Sequence, residues 1–270
     1  MKMYCITIYD EHFDKIKDLG YIPVGLGNKI FSNKFLTDTT KKNISEKNPF
    51  YGEYTFHYWL WKNKIIENEK NWIGFCQYRK FWVQNNYPIK YDNLNQLKKN
   101  ILKKIPFEIN GYESILGKPL FVNQFRLSKF LKNNFRTMIK KPDLFFNKSK
   151  RTLKFHFDMM HGKGNLDKAI KLLDKKDKND FEEFVNNEVS FNPHNMFICK
   201  SSEILNEYYS SVFPWLEKCE SIFGFNLKGY GNRRLYGFLA ERYLSYWFKK
   251  YTKSAELPIL FKDISELEFI

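Results

Sequence analysis

Residues 72–80 have the sequence WIGFCQYRK, in which a short apolar run changes abruptly to polar and basic side chains. An apolar run of this length between polar segments is typical of a strand that is buried on both faces. Ligands of open α/β sheets bind at the carboxyl ends of such strands. The stretch therefore predicts a central strand over residues 72–76 and a ligand site at Gln77, Tyr78, Arg79 and Lys80.

The rest of the chain alternates between predicted strands and helices. Asn48, as an N-cap followed by Pro49 at the first helical position, predicts a helix that continues through Lys62. Further strands are predicted over residues 1–8, 21–24, 117–122 and within 191–199, and further helices over 94–104, 165–180, 202–223 and 233–250. Residues 84–88 are predicted to form a turn, and 129–154 have no clear period. This alternation predicts an α/β fold in one domain over residues 1–270.

The charge of the chain is strongly positive. Forty-five basic residues against 30 acidic ones give a formal net charge of +15, but only seven of the basic residues are arginine. Such a lysine excess is typical of an AT-rich bacterial genome, so it is weak evidence for a nucleic-acid partner, and we predict none. A positive surface also attracts anionic nucleotides and the anionic inner face of a membrane.

The location of the protein is predicted from two absences. The amino terminus lacks the apolar core of a signal peptide, and no apolar run approaches the roughly 20 residues that span a bilayer. We therefore expect a cytoplasmic protein, with peripheral contact to the inner face of the cytoplasmic membrane. Four scattered cysteines without a Cys-x-x-Cys pair are expected to be buried free thiols: Cys5, Cys76, Cys199 and Cys219.

Three segments carry a resemblance to a known family. Residues 43–63, residues 73–81, and Asn195-Met196-Phe197-Ile198 together with residues 233–244 resemble the signature of bacterial glycosyltransferases first collected as a domain of unknown function in capsule and lipopolysaccharide loci. The second segment departs from the family pattern Gly-Leu-Cys-His-Tyr-Arg-Arg-Tyr at Gln77, where histidine is usual, and at Lys80, where arginine is usual. The departures put histidine chemistry and a bidentate arginine fork in doubt at these two positions.

The resemblance implies a fold and an activity. The fold would be a GT-A-like nucleotide-sugar-binding domain with a central mixed sheet and C-terminal helices. Residues 1–125 would bind the donor nucleotide, and residues 126–270 would form the acceptor-side and helical part. The activity would be transfer of a sugar from a nucleotide-sugar donor, with UDP-sugars favoured, to a capsule or lipopolysaccharide acceptor that is a polysaccharide or a lipid-linked oligosaccharide.

The chemistry of such a transfer requires positive charge at the donor. The leaving diphosphate gains negative charge as the glycosidic bond breaks, so fixed cations or hydrogen-bond donors must stabilise it. Many GT-A enzymes use a metal held by Asp-x-Asp after a central strand, whereas this strand ends in Gln77-Tyr78-Arg79 and the chain has no convincing Asp-x-Asp. We predict that Arg79, with Lys80 and the amides at the start of the Asn48 helix, replaces the metal. Dependence on Mn²⁺ or Mg²⁺ is the alternative.

The predicted site residues come from both parts of the chain. The substrate-binding candidates are Thr7, Asp38, Asn43, Ser45, Lys47, Asn48, Glu53, Gln77, Tyr78, Lys80, Asn195, Arg233 and Arg242. An inverting transfer also needs a general base, whereas a retaining one can use the donor phosphate. With Arg79, the candidate catalytic residues are Asp158, His161 and Glu241.

Each of these residues could instead have a purely structural role. Arg79 would then form an ion pair that supports the strand end, and Glu53 would be an exposed first-turn carboxylate. Glu241 would form a salt bridge with Arg234 on one helix face. Asn43, Ser45 and Asn48 would take part in capping and turns, and Tyr58, Trp59 and Trp61 would be core residues. Residues 156–162 would be a capping segment before a helix, with imidazoles that face the solvent.

Two further functions compete with sugar transfer. A basic nucleic-acid-binding protein would use interleaved lysines and aromatic rings, but the charges here are spread along the chain. A transferase of sulfuryl or phosphoryl groups in the same polysaccharide pathway would normally have a glycine-rich phosphate loop. Gly25-Leu26-Gly27-Asn28-Lys29 is too short to be one.

Overall fold

The structure is a computed structural model that describes residues 1–27, 29–84, 91–124 and 147–269. The chain divides into two compact units. Unit 1 comprises residues 1–118, 194–210 and 248–270, and unit 2 comprises residues 119–193 and 211–247. The interpretation as a single domain stays a prediction.

Eleven strands are present among the described residues. They are β1 (Lys2–Thr7), β2 (Ile22–Gly25), β3 (Leu36–Thr37), β4 (Ile73–Gln77), β5 (Lys80–Trp82), β6 (Ser114–Gly117), β7 (Leu120–Phe121), β8 (Ser190–Phe191), β9 (Phe197–Cys199), β10 (Ser254–Leu257) and β11 (Ile259–Phe261). Unit 1 has a mixed sheet in the order β10-β6-β9-β4-β1-β2-β3, with β5 pairing with β4 and β11. Strands β4, β1, β2 and β3 are parallel, and β9 runs antiparallel to β4 and β6. This mixed sheet confirms the predicted α/β class.

The described part of the chain has ten α-helices. They are α1 (Phe13–Asp18), α2 (Asn48–Tyr51), α3 (Tyr54–Lys62), α4 (Leu94–Asn100), α5 (Leu153–His161), α6 (Asn165–Ile170), α7 (Lys175–Asn187), α8 (Ser202–Phe223), α9 (Tyr230–Arg233) and α10 (Leu235–Tyr251). In these described residues, no helix is both long and apolar enough to cross a membrane.

Strand β4 lies at the centre of the sheet, as its sequence predicts, because both of its faces are covered. Phe75 stacks on Tyr4, with ring centroids 5.6 Å apart, while Cys76 belongs to the core cluster on the other face. Gly74 leaves room for the neighbouring strands, since a Cβ there would lie 2.7 Å from Met3 Cε. All four cysteines are buried free thiols, which confirms that prediction.

The predicted helix over residues 48–62 is wrong in two details. Gly52, with φ 60° and ψ −135°, divides it into α2 and α3. Asn48 is the first helical residue rather than the N-cap, which is Lys47. The Asn48 side chain instead donates from Nδ2 to the carbonyl of Gly52 at 3.0 Å and supports the break between the helices.

The predicted strand over residues 117–122 is also placed wrongly. The sheet strand is β6, which begins at Ser114 and ends at Gly117, and β7 is a separate two-residue strand. A proline nitrogen cannot donate a ladder hydrogen bond, and Pro119 separates the two strands. Ser114 tolerates complete burial because its hydroxyl lies 2.7 Å from the hydroxyls of both Thr252 and Ser254.

The remaining predicted elements differ mainly in their bounds. The helices over 202–223 and 233–250 are confirmed as α8 and α10, and the short strands over 21–24 and within 191–199 are present as β2 and β9. The helix over 165–180 is divided into α6 and α7, and the one over 94–104 ends at Asn100. Most of the predicted turn over 84–88, and residues 125–146 of the segment left without a period, lie outside the described residues.

Candidate functional site

The carboxyl ends of four parallel strands meet at one edge of the unit 1 sheet. Thr7 at the end of β1 pairs in register with Gly25 at the end of β2, and Ile6 pairs with Gln77 at the end of β4. Strand β3 extends this edge through Thr37, which pairs with Gly25 and precedes Asp38. The side chains that follow these strands are therefore the candidates for ligand contact.

Arg79 lies in the turn after β4 and its side chain is exposed. Its guanidinium carbon lies 4.8 Å from the centroid of the Tyr78 ring, and its carbonyl accepts a hydrogen bond from the backbone N–H of Lys262 at 3.2 Å. Among the described residues Arg79 has no ion-pair partner. The ion pair that a purely structural Arg79 would form to support the strand end is therefore not seen among them. An anchored backbone with an exposed guanidinium suits an anion-binding role.

Gln77 connects β4 to the turn that precedes β9. Its Nε2 donates to the carbonyl of His194 at 3.2 Å, and its Oε1 accepts from Nζ of Lys80 at 3.1 Å. His194 and Asn195 both have left-handed backbones, with φ values of 78° and 53°. Consecutive non-glycine residues in this region store backbone strain, which is common at functional sites.

Glu53 and Asn195 bring separated segments of the resemblance together. Asn195 Nδ2 donates to Glu53 Oε1 at 2.9 Å, across 142 positions of sequence. Glu53 lies immediately before α3, and Asn195 follows the residue whose carbonyl is held by Gln77. Parts of all three segments of the resemblance therefore meet at this edge of unit 1.

Asp38 is a buried carboxylate beside the start of α3. Its side chain is hydrogen-bonded to Thr55, whose hydroxyl also accepts from Asn48 Nδ2 at 3.3 Å. Asp38 is 1% exposed, and its Oδ2 atom is buried without a hydrogen-bond partner in the described part of the chain. Burial raises the pKa of Asp38 above its ordinary value. An orphaned buried acceptor of this kind is suited to a donor group of a ligand.

Several predicted substrate contacts have local structural partners. Asn43 Oδ1 accepts from the backbone N–H and the hydroxyl of Ser45, at 3.2 and 2.9 Å, which is turn chemistry. The Thr7 hydroxyl is fully buried and lies 2.8 Å from His12 Nδ1, and it accepts from the backbone N–H of Tyr9. Lys47 closes the short turn before α2. Their assignment as substrate contacts stays a prediction.

The aromatic residues of α3 divide between core and surface. Trp59 is 5% exposed and donates from Nε1 to the carbonyl of Thr40 at 2.9 Å. Tyr58 and Trp61 are half-buried, and Lys62 Nζ lies 3.7 Å from the centroid of the Trp61 ring. Trp59 is therefore a core residue, which is the structural role expected for it.

The remaining candidates lie in unit 2. Arg242 is 1% exposed, and its guanidinium carbon lies over the Phe191 ring. It donates from Nη1 to Glu241 Oε2 at 2.6 Å and from Nη2 to His156 Nδ1 at 3.3 Å. Asp158 Oδ1 accepts from the backbone N–H of Gly164 at 3.0 Å. Arg233 is exposed at the end of α9.

The histidine segment of unit 2 differs from its predicted structure. Residues 156–161 lie inside α5 rather than before a helix, and both imidazoles are buried rather than solvent-facing. His161 Nδ1 lies 3.0 Å from the carbonyl of Gly231, and the His161 ring stacks on Phe238 with centroids 3.9 Å apart. The sequence pattern misses this burial because these two partners come from α9 and α10, far along the chain.

All five histidines have a lowered pKa, with burial as the largest cause. For His57, which is fully buried, and His161, burial lowers the pKa to about 3. The unfolded chain takes up protons below pH 6.5, while these two imidazoles stay neutral until about pH 3. The free energy of unfolding must therefore fall as the pH drops through this window.

We expect a loss of about 1.4 kcal/mol of unfolding free energy per pH unit below 6.5 for each of His57 and His161. Urea denaturation at pH 7.5, 6.5 and 5.5 measures how the free energy of unfolding changes with pH. The His161→Gln variant should lose the part of this slope that corresponds to uptake of about one proton on unfolding. Equal unfolding free energies at pH 6.5 and 5.5 would show that these histidines titrate normally in the folded protein.

No metal site is evident within the described ranges. Among those residues no group of three or more His, Cys, Asp or Glu side chains is arranged to hold a metal ion. Metal independence itself stays a prediction.

Comparison with known proteins defines first a fold class and then a family. A solved structure entitled WbbM bifunctional glycosyltransferase, in its apo form, is similar to 97% of this chain, with a TM-score of 0.68 and 21% sequence identity. The chain spans only 45% of that protein, and at this identity the likeness establishes the fold. The chain belongs to the family described as domain of unknown function (DUF4422), whose model matches residues 3–253. No curated protein matches.

Proposed function

We propose that this protein is a glycosyltransferase that moves a sugar from a nucleotide-sugar donor, with UDP-sugars favoured, onto a cell-surface polysaccharide or a lipid-linked oligosaccharide. The observation that carries the proposal is the exposed Arg79 guanidinium at the carboxyl end of the central strand. In a sheet of this kind that position is where a leaving diphosphate needs a fixed cation. The fold shared with WbbM supports the same conclusion.

The donor would be held by residues of unit 1. Arg79, assisted by Lys80, would bind the diphosphate, since charged N–H groups stabilise the negative charge that develops on the leaving group. The orphaned Oδ2 of Asp38 would accept an N–H or O–H from the nucleoside. Glu53, held by Asn195 at 2.9 Å, would accept a hydroxyl of the transferred sugar.

Among the three candidate bases, Asp158 fits an inverting transfer best. Its side chain is 22% exposed and keeps one weak ion pair, with Lys154 Nζ at 3.7 Å. His161 is a poor base because burial lowers its pKa to about 3, and Glu241 is committed to the buried guanidinium of Arg242. A general base must reach the acceptor hydroxyl, which favours the accessible carboxylate.

A donor screen tests the proposed function. UDP-, GDP-, CMP- and dTDP-sugars are added with EDTA or with Mn²⁺ while the melting temperature is followed. A donor at about 100 times its Kd should stabilise the fold by roughly 2.7 kcal/mol. We expect one nucleotide class to do so in EDTA and to release its nucleoside diphosphate when acceptor is supplied. Binding of generic RNA with steep salt dependence, and no response to any donor, would favour a nucleic-acid-binding protein.

A further inference from the structure

Two exposed cations lie on one pair of tyrosine rings at the carboxyl edge of the sheet. Tyr9 follows β1, Tyr78 follows β4, and their rings meet edge to face with centroids 5.4 Å apart. Lys29 Nζ lies 4.4 Å from the Tyr9 centroid, and the guanidinium carbon of Arg79 lies 4.8 Å from the Tyr78 centroid. Each ring of the pair therefore carries one cation.

The tyrosine pair is fixed by the sheet and by a buried histidine. The backbone N–H of Tyr78 donates to the carbonyl of Ile6 at 2.9 Å, and that of Tyr9 donates to Thr7 Oγ1 at 3.1 Å. His12, which is 1% exposed, lies with its ring centroid 5.1 Å from those of both tyrosines. Its two ring nitrogens lie within 2.9 Å of the hydroxyls of Thr7 and Ser265. These contacts hold both rings, and so the positions of the cations.

Contact with an aromatic face positions a cation without using its N–H groups in a salt bridge. Such a contact contributes about 0.5–1 kcal/mol at an exposed site. Among the described residues, Lys29 and Arg79 have no carboxylate partner. The nearby carboxylates have other donors, since Asp10 accepts from the backbone of Ser32 at 2.7 Å and Asp263 from that of Ser265 at 2.9 Å. The N–H groups of both cations are thus available to an anion.

We propose that Lys29 and Arg79 form a two-cation clamp for a diphosphate, one cation for each phosphate group, with Tyr9 and Tyr78 as its platform. The proposal rests on the proposed function and adds to it Lys29, which is not among the predicted site residues. Gly27, with φ 96°, has a backbone conformation that other residues rarely adopt.

The test measures binding of inorganic pyrophosphate, UDP and uridine by calorimetry to the full chain. Lys29→Met removes the charge and keeps most of the apolar stem. We expect Lys29→Met to weaken pyrophosphate and UDP binding about tenfold, and to leave uridine binding unchanged, because uridine has no phosphate. Tyr9→Leu should weaken pyrophosphate binding about threefold. The matched control is Lys34→Met, because Lys34 Nζ lies over a different ring, that of Phe13, at 5.6 Å from its centroid. The Lys34→Met variant should bind all three ligands like the wild type.

The outcomes separate this inference from the proposed function. If Lys29→Met binds pyrophosphate and UDP as the wild type does, the clamp is wrong even if sugar donors are turned over. An equal loss of uridine binding would also overturn it, since Lys29 would then act on the nucleoside or on the fold. The clamp would also be wrong if the wild type bound neither pyrophosphate nor UDP. Lys29-dependent pyrophosphate binding without a response to any sugar donor would support the anion clamp and reject sugar transfer.

Discussion

Replacing Arg79 with methionine is expected to reduce kcat for sugar transfer by about 10²- to 10³-fold, the usual cost of removing one preorganised donor to a developing anion. The melting temperature should stay close to that of the wild type, because the side chain is exposed and has no ion pair among the described residues. The kcat of Arg79→Lys should fall between those of the wild type and Arg79→Met, since lysine keeps the positive charge and loses the planar guanidinium fork.

The measurement follows release of the nucleoside diphosphate with a donor identified by the screen. Lys104→Met, which removes one exposed cation outside the strand end, serves as the control for lost charge. If Arg79→Met and Lys104→Met turned over equally well, the guanidinium would have no part in the chemistry. Loss of activity on chelation, restored by Mn²⁺, would show that a metal neutralises the diphosphate instead.

Replacing Glu241 with glutamine is expected to destabilise the protein by about 3–5 kcal/mol, because it leaves the buried Arg242 guanidinium without its counter-charge. Burial already lowers the pKa of Arg242, and Glu241 opposes this effect. For a chain of this size the melting temperature should drop on the order of 10 °C. Turnover per folded molecule should change little, since the role assigned to Glu241 is structural.

A double variant makes the interpretation specific. Glu241→Met combined with Arg242→Met replaces both charged residues by apolar ones, and apolar replacements of buried ion pairs are often neutral in stability. We therefore expect the double variant to recover most of the lost melting temperature. A Glu241→Gln protein that melts like the wild type but does not transfer sugar would instead place Glu241 among the catalytic groups.

The sequence predicted the elements whose signals are local. The apolar run before Gln77 indicated the central strand, and the helical spacing of α8 and α10 indicated those helices, because burial on both faces of a strand or along one stripe of a helix is written in neighbouring residues. Local signals did not predict a strand where a buried polar residue is hydrogen-bonded by residues far along the chain. Ser114 begins a buried strand because two hydroxyls beyond residue 250 hydrogen-bond with it.

The candidate site was predicted only in outline. The strand-end position of Arg79 followed from the sequence, since the end of an apolar run is visible there. The pairing of Tyr78 with Tyr9, the role of His12 and the position of Lys29 did not, because each depends on ring contacts between separated parts of the chain. The hydrogen-bonding partners of Glu53 and the orphaned oxygen of Asp38 likewise emerged only from the folded chain.

By itself, the sequence determined the α/β class, the central strand, the free thiols and the cation at the strand end, since each depends on the chemistry of a few adjacent residues. Only the tertiary structure decided which side chains are buried, paired or left exposed around that cation. The physical reason is that hydrogen bonds, ring contacts and burial join residues such as Glu53 and Asn195, which are 142 positions apart, and their energies depend on distances that no local pattern specifies.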